Sequence, residues 1–140
     1  MARACYSARM VDVIREVLVS EPRIAYALLF GSQAAGRATA HSDLDIAIGS
    51  SSGDGFDRHT LGTLVASLER AADRTVDVIV LDQAPPAVAY RVFRDGRLLV
   101  EVDPSALTRG CARAILGYLD FKPVEQLCAR AILESAAHGR

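Results

Sequence analysis

Little in this sequence is arranged for cross-linking, for membrane insertion or for holding a polyanion. Cysteine occurs only at Cys5, Cys111 and Cys128, an odd number at wide spacings that fits neither a disulfide framework nor a zinc site. The three are expected to be reduced and structural. Apolar runs are short: Ile24 to Phe30 and Val76 to Leu81 fall far below the roughly 20 residues that a membrane helix requires. The opening Met-Ala-Arg-Ala-Cys-Tyr leads into a stretch broken by Asp12, Arg15 and Glu16, without the apolar centre of a signal peptide. A cytoplasmic chain with no membrane contact is expected. Lys122 is the only lysine, and 16 Lys and Arg against 17 Asp and Glu leave a formal charge of -1. Such a balance offers no basic field for a nucleic-acid backbone, which disfavours a polynucleotide substrate.

What is present suits one compact domain over residues 1–140, because a 51% apolar share is enough to bury a core at this length. Met10, Ile14, Val17 and Leu18 recur at helical spacing up to Glu21-Pro22, where proline disfavours continuation. Arg23 to Phe30 is apolar on both faces and ends at Gly31-Ser32, as a covered central strand would. Asp43 to Ile48 alternates larger apolar residues with acidic or small ones, a strand signature. The Ser/Gly-rich loop from Gly49 to Gly55 precedes a helix marked by Leu61, Leu64, Val65, Leu68 and Ala72, and Val76 to Leu81 is the next strand. That loop lacks the Lys-Ser/Thr ending of a phosphate loop, so it is taken as a connector. Pro85-Pro86 opens a helix through Phe93, Leu98 to Val102 suggests an edge strand, and residues 104–140 form a C-terminal helical segment that Pro123 is expected to divide. The expected class is therefore α+β (α/β), a small mixed β-sheet flanked by helices.

The informative segment is Gly31-Ser32, ten intervening residues, then Asp43-Leu44-Asp45. Residues two apart on a strand share a face, so Asp43 and Asp45 present their carboxylates together, with Cα atoms roughly 6.5 to 7 Å apart. Divalent cations would relieve the repulsion and clamp the attacking and leaving oxygens of a phosphoryl displacement; carboxylate oxygen is the natural ligand for magnesium. Gly31 lets the backbone approach a phosphate, and the Ser32 hydroxyl can donate to triphosphate oxygens. Asp77, an acid at the head of an apolar strand, is the candidate third carboxylate; it could instead pair with Arg70 or Arg74, with Asp82 as the spare.

Gly31-Ser32-Gln33-Ala34-Ala35-Gly36-Arg37 followed by Ser42-Asp43-Leu44-Asp45-Ile46-Ala47-Ile48 resembles the signature of the DNA polymerase beta-like nucleotidyltransferase superfamily. The short length, Asp77, the Arg91 to Gly96 region and Tyr118-Leu119-Asp120-Phe121 look like its minimal branch, the MNT or MntA antitoxins. The resemblance implies two magnesium ions held by Asp43, Asp45 and Asp77, and ATP bound through Gly31 and Ser32, with Arg37 and Ser42 as further nucleotide contacts. It also implies a protein partner, a HEPN-type ribonuclease toxin, and transfer of AMP from ATP to a toxin tyrosine within a homo- or hetero-oligomer. Transfer to a small molecule such as an aminoglycoside, and neutralisation by binding without catalysis, are the alternative readings.

Overall fold

A computed structural model describes residues 8–31 and 42–138. In chain order the elements are α1 (Ala8–Ser20), β1 (Ile24–Phe30), β2 (Leu44–Ser50), α2 (Arg58–Ala72), β3 (Val76–Val80), α3 (Pro86–Asp95), β4 (Arg97–Glu101) and α4 (Pro104–His138). The strands form one mixed sheet in the order β3-β2-β1-β4. β1 runs antiparallel to both β2 and β4, while β2 and β3 are parallel. The helix α2 connects that parallel pair, as a parallel connection requires.

Strand alternation sorts the core onto two faces. Ile24, Ala27 and Leu29 of β1 join Ile46 and Ile48 of β2 beneath Ile14, Leu18, Leu64 and Leu68 of α1 and α2. Tyr26, Leu28 and Ala47 face the other way, against Ala89 and Val92 of α3 and Ala106 and Ala114 of α4. Helices on both sides explain why β1 reads as a continuous apolar run: it is buried from Ile24 to Leu29.

Local chemistry sets the boundaries. Asp57 caps α2 by accepting from the Thr60 amide at 2.9 Å, and Arg23 ties that cap to the start of β1 through a 3.0 Å ion pair with Asp57. Asp73 ends α2 in the left-handed conformation at φ 52°, which aspartate tolerates better than most residues. Pro86 opens α3, where its missing N–H costs nothing. One expectation needs correction: Pro123 lies inside a single helix, α4, and does not divide it. The residues around it are exposed, so a carbonyl that loses its helical partner can turn to water.

Candidate functional site

The N-terminal ends of β2 and β3 and the C-terminal end of β1 meet at one end of the sheet. Phe30 pairs with Asp45 across the antiparallel ladder, and Asp45 pairs with Asp77 across the parallel one. Asp43 stands two residues before Asp45, just outside β2, and the Leu44 amide between them donates to the Thr75 carbonyl at 3.0 Å. Asp45 and Ala47 therefore share the face covered by α3 and α4, and the register gives Asp77 that same face. No salt bridge among the described residues joins Asp77 to Arg70 or Arg74.

The carboxylates influence one another. Burial first, then the charges of Asp77 and Asp43, hold the Asp45 carboxyl above the usual carboxylate range. The sign follows from linkage: a carboxyl with a raised pKa in the folded state favours folding when protonated, and that contribution is lost as pH rises through its folded pKa. Metal-free protein should accordingly lose thermal stability as pH climbs from the ordinary aspartate range through the raised one. Melting in a chelator across that window checks this, and Asp45→Asn should flatten the profile.

Gly31 closes β1 at φ +75°, a conformation that glycine adopts freely. A Cβ added there would overlap the Asp45 Oδ2 atom, so the bare glycine backbone lies directly against the carboxylate. Among the described residues, no three His, Cys, Asp or Glu side chains already converge closely enough to hold a metal ion. The donor set nevertheless fits a hard divalent cation: oxygen ligands only, carried on adjacent strands, with like charges that a cation would neutralise.

The backbone behind the carboxylates is braced by groups that periodicity does not reveal. Arg74 donates from one guanidinium nitrogen to the Ser42 carbonyl at 3.5 Å, and Glu69 accepts from the Val76 amide at 3.2 Å. Both brace the strand starts that bear Asp43 and Asp77. Ser42 is half-buried beside Asp43, whereas Ser32 and Arg37, expected to contact the nucleotide, lie outside the described residues. Asp82, the spare acid, is excluded by position. It lies beyond the other end of β3, where its 2% exposed side chain accepts from the Ser50 amide at 2.9 Å and hydroxyl at 3.0 Å and faces Arg113 at 3.8 Å. Ser50 Oγ in turn accepts from the Gly53 amide at 3.0 Å, which gives the Ser/Gly loop a structural tie.

Acidic strand ends flanking a glycine turn define a class of site, one suited to cation-bound phosphates. The chain belongs to the polymerase beta nucleotidyltransferase family, whose model matches residues 12–105. No curated protein sequence matches it. Solved structures share its fold. A toxin-antitoxin with AMP-PNP is 23% identical at a TM-score of 0.78, covering 88% of this chain and 98% of the other. A complex of the MNT antitoxin with the tri-AMPylated HEPN toxin of Shewanella oneidensis is 22% identical at a TM-score of 0.72, covering 89% and 96%. A mutant form of the MntA toxin-antitoxin is 25% identical at a TM-score of 0.75, covering 87% and 96%. No helix among the described residues is long and apolar enough to cross a membrane.

Proposed function

We propose that this protein is a magnesium-dependent adenylyltransferase that acts as an antitoxin in the cytoplasm, moving AMP from ATP onto a tyrosine hydroxyl of a HEPN-type toxin. The observation that carries the reading is the register that sets Asp45 opposite Asp77 beside the bare turn at Gly31. Family membership supports nucleotidyl transfer. The relatives solved with AMP-PNP and with an AMPylated toxin support ATP as donor and a protein as acceptor.

In this reading Gly31 leaves its backbone open to a phosphate, and Ser32, Arg37 and Ser42 supply further nucleotide contacts. Asp43 and Asp45 face the triphosphate, while Asp77 lies towards the acceptor. Two magnesium ions held by these carboxylates would neutralise the triphosphate and acidify the acceptor hydroxyl, whose intrinsic pKa is about 10 for tyrosine. The acceptor hydroxyl loses its proton to solvent, its oxygen bonds to the α-phosphorus, the bridge to the β-phosphorus breaks, and pyrophosphate leaves. The chain's contribution is positioning and charge placement.

The test is to incubate the protein with magnesium, each nucleoside triphosphate in turn and the product of the neighbouring gene, then to read intact masses. Addition of AMP to that product, with ATP preferred, is expected. An unmodified product with every nucleotide would refute the reading.

A further inference from the structure

We propose that the second half of α4 is a docking helix for a protein partner, presenting an apolar stripe rimmed by carboxylates to a partner face that is apolar and rimmed by Lys and Arg. This rests on the partner reading above and extends it to a surface remote from the transfer chemistry.

The first half of α4 buries Ala106, Gly110 and Ala114 against the domain. It meets α3 at Gly117, where an added Cβ would stand 3.4 Å from Pro86, and at Tyr118, whose ring stacks on Tyr90 at 4.1 Å. From residue 119 to 138 every residue is exposed. The face does not turn polar there. Phe121, Val124, Cys128 and Ile132 follow Gly117 at steps of three and four, so they continue the line of Ala106, Gly110 and Ala114 past the edge of the domain. Phe121 is 42%, Val124 49% and Ile132 69% exposed, and Leu127 beside them is 63% exposed.

A free helix of this kind has little to hold it in water. Isolated helices are marginal even with strong helix formers, and Pro123 leaves this one short of a backbone hydrogen bond.

Charge selects the occupant. At 3.6 residues per turn, Asp120 and Glu125 border the stripe on either side and Glu134 lies beside Leu127, while Lys122 and Arg130 fall on the far side of the helix. A second copy is disfavoured, because antiparallel pairing centred on Leu127 would set Asp120 against the other copy's Glu134, and like charges in register cost affinity. A face with basic flanks matches both the apolar stripe and its rim.

The test uses the full chain and two labelled amphipathic helical peptides with one shared apolar face, one flanked by Lys and Arg and the other by Glu, read by fluorescence anisotropy. The basic-flanked peptide should bind at least tenfold more tightly, and high salt should narrow the gap. The double variant Asp120→Lys, Glu125→Lys, altered only at exposed positions, should reverse the preference without changing the melting temperature. Phe121→Asp with Ile132→Asp should lose both peptides. Equal binding of the two peptides, binding of neither, or self-association that disappears in the Phe121→Asp, Ile132→Asp variant would overturn the proposal. With the toxin itself, Asp45→Asn should dock normally and fail to transfer, while the Phe121→Asp, Ile132→Asp variant should fail to dock, so docking and catalysis are read apart.

Discussion

Asp45→Asn is expected to reduce AMP transfer to background, a loss of roughly a thousandfold or more, equivalent to several kcal/mol of transition-state stabilisation. Asp45 is central to the cluster: it pairs with Phe30 on one side and Asp77 on the other, and it experiences the charges of both Asp77 and Asp43. The substitution preserves shape and removes one of three repelling charges. Metal-free stability at neutral pH should therefore hold or rise while activity collapses. Toxin mass spectra report the activity and calorimetry the stability; near-normal transfer would remove Asp45 from the site. A parallel loss of folding would instead show that the acid supports the fold.

Gly31→Ala should produce the second large effect, through geometry without any change of charge. A non-glycine residue in the left-handed region costs about 1 to 2 kcal/mol, and the new Cβ would overlap Asp45 Oδ2, so the carboxylate must move. A displacement of about 1 Å at a reacting centre can cost roughly a hundredfold in rate, whereas the strain alone lowers the melting temperature by only a few degrees. Gly62→Ala is the matched control. It lies within α2, its added Cβ meets nothing within 4 Å, and helix propensity favours alanine by about 1 kcal/mol. Rate and melting temperature together separate a local displacement from general destabilisation, and an active Gly31→Ala enzyme would show that the close approach to Asp45 is dispensable.

Much of this architecture was legible because burial imposes simple periods. Ile14 and Leu18 mark the buried side of α1, Leu64 and Leu68 that of α2, and the continuous apolar run of β1 reflects cover on both faces. The expected closeness of Asp43 and Asp45 rested on the same alternation; Asp43 stands just outside β2, and its charge acts on Asp45. Long-range pairing was not legible. Nothing in Val76 to Leu81 specifies that Asp77, and not Asp82, lies level with Asp45; that follows from the parallel register, which places Asp82 beyond the opposite end of the sheet, against Ser50 and Arg113. The bracing by Glu69 and by Arg74, which the sequence offered only as a partner for Asp77, was not legible because the backbone groups they hold, Ser42 and Val76, carry no sequence pattern. Pro123 misled because a proline rule drawn from helix interiors weakens where the surrounding backbone is open to solvent.

The most direct test is diffraction at the manganese edge from crystals soaked with Mn²⁺ and a non-hydrolysable ATP analogue. Anomalous density bounded by Asp43, Asp45 and Asp77, with the analogue's phosphates against Gly31, is the expected result. Manganese bound elsewhere on the surface, with these three carboxylates bare in the presence of the nucleotide, would contradict it.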